Sequence, residues 1–245
     1  MHPVYLIHWG DPRFEVPELP KISKSWWKSG NKINHCSIFI SSNNPEALFL
    51  QIIIALCDED CQVIYLSCHG LEDGFSFTGG ESCDITYTEF KKKLNEFPAV
   101  ERGPVSVIFG SCEAMSDSIN IQNGLPEWIF EVAGFVDKPA PRQVAQLTVE
   151  LLQHTIDYFR EISKHMADAA IGTKSTSTDV GQQIDAKFKA MKKAFDKADA
   201  SYKPLSGVKV KGSGKDVVIK KRKTGTDDWE RIEYIQVDAS KKNHL

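Results

Sequence analysis

The chain lacks the features that direct a protein into or across a membrane. Residues 1–7 have neither the basic segment nor the long apolar core of a secretory signal. The longest apolar stretch, residues 47–57, is too short to span a bilayer and is interrupted by Gln51, so it predicts a buried helix. We therefore expect a cytoplasmic protein that makes no membrane contact.

The chain also lacks the cysteine spacing of a small disulfide scaffold, although it contains six cysteines in 245 residues. Reduced thiols fit this pattern. One group of residues with metal-ligating side chains stands close together in the sequence and raises the possibility of a metal site: Cys57, Cys61, Cys68 and His69. Cys68 and His69 are neighbours in a predicted strand and would point to opposite faces, which argues against a shared ion. We expect neither a metal nor a cofactor.

A strong charge of one sign is missing as well. The net charge is −3, with 26% charged and 41% hydrophobic residues, and these ordinary values favour no class of partner. Basic residues outnumber acidic ones from Lys203 to Leu245, but without the aromatic-interleaved pattern of a nucleic-acid-binding segment. We interpret this segment as a solvated face and expect no nucleic-acid partner.

Apolar runs and helix signals alternate along the chain. Strands are predicted over residues 3–9 and 33–40, buried strands over residues 63–70, 105–112 and 128–136, and helices over residues 47–56, 86–97 and 141–162. The glycine-punctuated residues 71–80 predict a loop or small hairpin. Predominantly apolar strands that alternate with helices indicate an α/β fold with a mostly parallel central sheet.

The composition changes after residue 171. Residues 172–181 are a Ser/Thr/Gly linker, followed by a predicted helix over 183–202 and a predicted β-ribbon over 216–221 and 229–237. We expect a first domain over residues 1–171 and an extension over residues 172–245. An autoprocessing site is the alternative interpretation of the linker.

Two of the predicted strands end at reactive side chains, residues 63–70 at His69 and residues 105–112 at Cys112. Open α/β sheets place ligands at the carboxyl ends of such strands, and the helix between these two makes them expected neighbours. A thiol needs a base to raise its thiolate fraction, and an imidazole can supply one. We therefore predict a His69/Cys112 pair, with the N–H groups of Gly70 and Cys112 as oxyanion donors.

A hydrophobic strand ending in Ser-Cys-His-Gly, followed by a second ending in Ser-Cys-Glu-Ala, resembles the caspase-like (clan CD) cysteine peptidases, most closely the bacterial CHAT branch. The similarity covers residues 33–162. It implies a caspase-like α/β/α sandwich, to which this chain adds its C-terminal helix and β-ribbon. It also implies that His69 is the general acid/base, that Cys112 forms an acyl-enzyme and that the Gly70 N–H supports the oxyanion.

One departure from the family pattern leaves the specificity pocket unassigned. Relatives that cleave after basic residues can carry an acid two positions before the cysteine, where this chain has Gly110. The acidic candidates for substrate binding are Glu113, Asp117, Glu131 and Asp137. The helical repeats often attached to CHAT domains are not found in the chain, so the resemblance implies a separate sensor or activator protein. The implied function is limited proteolysis of a protein partner in bacterial defence or programmed cell death.

Other interpretations remain open at this point. A caspase-like pseudoenzyme would be a non-catalytic adaptor with the same fold. A cysteine-dependent amidotransferase or hydrolase would use residues 110–114 as a nucleophile elbow. Its histidine would follow the nucleophile in sequence, which nominates His154 or His165. In a third interpretation, His69 and Cys112 are ordinary residues at strand ends.

Overall fold

The computed structural model describes residues 4–11, 35–97, 105–111, 114–115, 119, 121–136, 160, 164, 216–223 and 228–236. Contacts divide the chain into two units, Met1–Leu152 with Gly207–Leu245, and Gln153–Ser206. Of the second unit only Arg160 and Lys164 are described, and both are helical. Apart from these two residues, the predicted helices over 141–162 and 183–202 and the linker over 172–181 lie outside the described part. The domain division at residue 171 stays a prediction.

Ten strands and two helices are described in the first unit. They are β1 (Val4–Trp9), β2 (His35–Ile40), α1 (Pro45–Cys57), β3 (Val63–Ser67), β4 (His69–Gly70), β5 (Gly74–Ser76), β6 (Ile85–Thr86), α2 (Tyr87–Glu96), β7 (Val105–Phe109), β8 (Ile129–Phe135), β9 (Asp216–Arg222) and β10 (Trp229–Gln236). The strands β1, β2, β3, β7, β8, β9 and β10 and both helices confirm elements predicted from the apolar pattern. The glycine-punctuated residues 71–80 contain β5, the middle strand of a small sheet in the order β4-β5-β6.

Seven strands form one sheet in the order β10-β9-β8-β7-β3-β1-β2. Strands β2, β1, β3, β7 and β8 run parallel, and β9 and β10 continue the sheet in antiparallel pairing. The prediction of an α/β fold with a mostly parallel sheet is confirmed. The sequence places α1 between β2 and β3, but β1 separates these two strands in the sheet. The predicted C-terminal β-ribbon belongs to the central sheet because β9 pairs with β8.

Both helices begin at side chains that bind their first free N–H groups. Asn44 caps α1 by accepting from the Glu46 N–H at 3.0 Å. Thr86 and Glu89 form a reciprocal capping box at α2, with N···O distances of 3.2 and 3.0 Å. Neither of the two helices with described bounds is long and apolar enough to cross a membrane.

The core lies on the face of the sheet that carries α1 and α2. Alternate strand residues such as Ile7, Leu66 and Phe109 join helix residues such as Phe49 and Phe90 in one hydrophobic cluster. The two helices meet at Phe49 and Phe90, whose ring centroids are 5.8 Å apart. Because successive strand residues point to opposite faces, the intervening residues face the other side of the sheet, and they are buried too. Burial on both faces explains the continuous apolar runs.

Candidate active site

The carboxyl ends of β3 and β7 lie side by side, because the two strands pair in parallel. Just beyond these ends, the Sγ atom of Cys68 lies 3.1 Å from the Oγ atom of Ser111, and both side chains are buried. Cys68 directly precedes His69 in the chain, and Ser111 directly precedes Cys112. The prediction that the two strands are neighbours is confirmed.

Four of the predicted site residues lie outside the described residues: Cys112, Glu113, Asp117 and Asp137. Their roles stay predictions. Glu131 is described and is buried within β8, where it accepts a hydrogen bond from the Ser106 hydroxyl at 3.0 Å. Ser106 lies near the amino-terminal end of β7. The structure therefore does not bring Glu131 to the strand ends next to His69.

The chain leaves the central sheet before His69, whereas one continuous strand was predicted over residues 63–70. Strand β3 ends at Ser67, Cys68 forms a bend, and His69 begins β4 of the small antiparallel sheet. The imidazole is half-buried, and its Nε2 atom is buried from solvent. The position of this side chain is therefore set by the small sheet as well as by the end of β3.

Gly70 lies opposite Phe75 in the ladder between β4 and β5. The Leu71 N–H donates to the carbonyl of Gly74 at 2.9 Å, so these two residues form a hydrogen-bonded pair. Hydrogen-bonded and non-hydrogen-bonded pairs alternate along an antiparallel ladder. The pair of Gly70 and Phe75 is thus a non-hydrogen-bonded one, and the Gly70 N–H points away from β5. This orientation leaves its donor outside the small sheet.

Residues 76–84, called here the 76–84 turn, pack against the His69 ring. Gly79 has a φ of +71°, and a Cβ atom at this position would lie 2.9 Å from both Cε1 and Nδ1 of the imidazole. The Gly79 N–H donates to the Ser76 hydroxyl at 3.2 Å, and that hydroxyl lies 3.3 Å from Oδ2 of Asp84. A loop or small hairpin was predicted over residues 71–80, with no functional role for Ser76, Gly79 or Asp84. The Gly79-Gly80 pair was the available sequence signal.

Gly110, two positions before Cys112, has no room for a side chain. A Cβ atom there would overlap the hydroxyl of Tyr65, which is fully buried in β3. An acid at this position, as some caspase-like peptidases carry, would require Tyr65 to move. The structure thus gives a packing reason for a glycine at position 110.

His8 and Ser67 form a second polar contact at strand ends that sequence analysis missed. Nδ1 of His8 lies 3.1 Å from the Ser67 hydroxyl, and the ring stacks on Phe39 with centroids 4.9 Å apart. These residues lie at the carboxyl ends of β1 and β3, where the strand order changes direction, and open α/β sheets place ligands at such points. A histidine within an otherwise apolar strand was the available sequence signal.

The positions of the described cysteines show whether Cys57, Cys61, Cys68 and His69 could form a metal site. The described cysteines, namely Cys36, Cys57, Cys61, Cys68 and Cys83, form no disulfide with one another. Cys57 is exposed at the end of α1, whereas Cys61 and Cys68 are buried. Within the described ranges, no three His, Cys, Asp or Glu side chains are grouped to hold a metal ion.

Lys221 is a partly buried cation in the sheet, paired with Glu131 across the β8–β9 ladder. Burial lowers its pKa to about 8, while the carboxylates of Glu131 and Glu230 act in the opposite direction. The ordinary value is 10.5. Between these two pH values the unfolded chain binds more protons at this residue than the folded chain, so the free energy of unfolding rises with pH.

We expect the substitution Lys221→Gln to remove this contribution. From pH 8 to pH 10, the free energy of unfolding of the wild type should rise by about 1 kcal/mol more than that of the variant, because solvent screens a side chain that is only partly buried. Urea unfolding at several pH values measures this difference. Lys223→Gln, at an exposed position nearby, is the control and should follow the wild type. The prediction would be contradicted if the free energies of unfolding of the wild type and of Lys221→Gln changed with pH by the same amount.

The fold and the strand-end contacts define a mixed α/β protein with a mostly parallel seven-stranded sheet. No protein-family model matches the chain, and no curated protein does. One solved structure with some similarity is the leucine-binding protein LivK of Thermotoga maritima, with a TM-score of 0.34 and 9% sequence identity. The match covers 96% of this chain and 61% of that chain, so this chain spans less than two thirds of that protein's length.

Proposed function

We propose that the protein is a cysteine endopeptidase with a caspase-like fold, in which His69 and Cys112 form the catalytic dyad. The observation that carries the proposal is the 3.1 Å contact between Cys68 and Ser111 at the paired ends of β3 and β7. It joins the residue before His69 to the residue before Cys112. A dyad of this kind requires that the two chain segments approach each other in this way.

The proposed reaction is acyl transfer through a thioester. His69 takes the proton of the Cys112 thiol, and the thiolate attacks the carbonyl carbon of the scissile peptide bond. The Gly70 N–H, which points away from β5, donates to the resulting oxyanion. As the C–N bond breaks, the His69 imidazolium gives its proton to the leaving amine. Water then cleaves the thioester, which releases the carboxylate and restores the thiol.

The strand order supports a caspase-like fold for this function. The parallel strands lie in the order β2-β1-β3-β7-β8, an open arrangement in which ligands bind beyond the carboxyl ends of the strands. His69 and Gly70 follow the end of β3, and the Cys112 segment follows the end of β7. His69 and the end of β7, after which Cys112 follows in the sequence, are thus at the edge of the sheet where chemistry is expected.

The proposed biological role is limited proteolysis of a specific protein in the cytoplasm, under the control of a separate activator or sensor protein. It follows from the resemblance of the Ser-Cys-His-Gly and Ser-Cys-Glu-Ala segments to the CHAT branch. The proposed setting is bacterial defence or programmed cell death. Glu113, Asp117 and Asp137 are the remaining acidic candidates for a substrate pocket near the nucleophile.

The proposal is tested by incubating the full chain with a peptide library prepared from a proteome digest. Wild-type protein should generate new peptide termini with a shared sequence preference, and Cys112→Ala should generate none. The matched control is Cys57→Ala, which removes an exposed thiol at the end of α1 and should cleave as the wild type does. Identical peptide termini from wild type and Cys112→Ala would overturn the protease function.

A further inference from the structure

We propose that the 76–84 turn is a positioning device for the His69 imidazole, with Gly79, Ser76 and Asp84 as its positioning residues. The geometric part of this inference concerns where the ring is held and is independent of any activity. Its catalytic consequence rests on the proposed function, since a displaced ring would no longer reach the Cys112 thiol or the leaving amine. None of the three residues is assigned a direct role in the reaction.

The first step is the contact between Gly79 and the ring. Real Cβ atoms essentially never approach another heavy atom as closely as the 2.9 Å that a side chain at residue 79 would have to Cε1 and Nδ1 of His69. The backbone of Gly79 therefore lies directly against one edge of the imidazole. Its φ of +71° is also a conformation that glycine adopts without strain. Close approach and backbone conformation both require glycine here.

The second step is the support of Gly79 by Ser76. Ser76 is the ladder partner of His69 in the small sheet and is buried. Its hydroxyl oxygen accepts a hydrogen bond from the Gly79 N–H at 3.2 Å. Ser76 thus pairs with the backbone of His69 and also holds Gly79, which contacts the His69 ring. The strand pairing and the ring contact therefore both connect His69 to the 76–84 turn.

The third step is the orientation of the Ser76 hydroxyl. A carboxylate only accepts hydrogen bonds, so the Ser76 hydroxyl donates its single proton to Oδ2 of Asp84 at 3.3 Å. With that proton engaged, a lone pair of the hydroxyl oxygen is available to the Gly79 N–H. The same Asp84 oxygen accepts the Phe77 N–H at 2.6 Å, a short charge-assisted bond that anchors the carboxylate.

The fourth step is the attachment of the turn to the central sheet. Phe77 packs against Trp9 of β1 with ring centroids 5.8 Å apart, and its carbonyl accepts the Asp11 N–H at 3.2 Å. His69 itself follows the end of β3, the neighbour of β1. The His69 ring therefore lies between the end of β3 and the 76–84 turn, which itself contacts the end of the neighbouring strand β1. Catalytic geometry depends on such support, because a misplacement of 1 Å can cost about 10²-fold in rate.

Alanine substitutions at three glycines distinguish the effect of the contact with the His69 ring from the effect of general backbone strain. Gly79→Ala introduces both a positive-φ alanine and the clash with His69. Gly124→Ala introduces a positive-φ alanine at φ +77° with nothing within 4 Å of its Cβ atom. Gly80→Ala, next to Gly79, places its Cβ atom at an ordinary 3.6 Å from the Thr78 hydroxyl. These three variants form a matched set in the full chain.

The readout that does not depend on activity is the Cε1–Hε1 resonance of His69 in histidine-labelled protein, assigned with a His69→Gln variant. Gly79→Ala should move this resonance, while Gly80→Ala and Gly124→Ala should leave it in place. For a library-derived substrate, kcat of Gly79→Ala should fall by about 10²-fold with little change in KM. An unmoved resonance in Gly79→Ala, or an equal shift in Gly124→Ala, would overturn the inference.

A second pair of variants covers the case in which Gly79→Ala does not fold. Asp84→Ala removes the acceptor of the Ser76 hydroxyl and should shift the His69 resonance, whereas Asp84→Asn retains an acceptor oxygen and should restore most of the wild-type spectrum. Equal spectra for the two variants would contradict the role of Asp84. If the resonances behave as expected and wild-type protein cleaves no peptide, the proposed protease function fails while the positioning device stands.

Discussion

Replacing His69 with alanine is expected to lower kcat/KM for peptide cleavage by about 10³-fold, within the range for loss of a general acid/base. The thiol of Cys112 would lose the base that deprotonates it, and the leaving amine would lose its proton donor. The measurement is single-turnover and steady-state cleavage of one peptide selected from the library. The free energy of unfolding, measured in parallel, separates a chemical loss from a folding defect.

His154→Ala is the matched control for this experiment and should retain the activity of the wild type. In the amidotransferase interpretation the histidine follows the nucleophile in sequence, so His154 or His165 would be required and His69 would not. The two interpretations thus predict opposite results for the same pair of variants. Full activity of His69→Ala would contradict the proposed dyad.

Gly110→Ala is expected to destabilise the fold by about 3 kcal/mol, the upper part of the range for overpacking a core. The added Cβ atom would overlap the Tyr65 hydroxyl and lie close to two further atoms of that ring, which is fully buried. The backbone has little freedom to move away, because the Gly110 N–H donates to the Leu66 carbonyl at 2.7 Å. Urea unfolding measures the loss, with Gly80→Ala as the control.

Whether Tyr65 is the residue that obstructs a side chain at position 110 can be tested directly. In a Tyr65→Leu background the atoms that obstruct residue 110 are removed, so adding Gly110→Ala should cost less than about 1 kcal/mol. A double-mutant cycle of the two substitutions therefore should show a coupling of about 2 kcal/mol or more. Additive effects of the two changes would show that Tyr65 is not the obstacle.

The elements of the fold could be predicted from the sequence where a local signal was strong. Thr86 and Glu89 stand at capping-box spacing, and α2 begins between them as predicted. The predominantly apolar residues 105–109 and 129–135 are strands buried on both faces, as their composition indicates. These signals involve residues a few positions apart, so they act before any tertiary contact forms.

The arrangement of the candidate site could be predicted only in part. The neighbouring ends of β3 and β7 followed from their buried strands and the helix between them. The departure of His69 into a separate small sheet did not, because it depends on pairing with Ser76 and on Gly74, whose close approach to the Ile85 carbonyl leaves no space for a side chain. The insertion of β1 between β2 and β3 likewise depends on pairing partners that no local pattern specifies.

The sequence by itself determined the strands of the central sheet, the two helices α1 and α2, the mostly parallel sheet and the order in which two reactive residues follow apolar segments. These properties follow from hydrophobic periodicity and capping chemistry, which are local. Only the tertiary structure decided that Cys68 meets Ser111 across 43 residues, that Tyr65 occupies the space beside Gly110, and that Gly79 lies against the His69 ring. Such contacts depend on how distant segments pack in three dimensions, and close packing makes each depend on the shape of its partner.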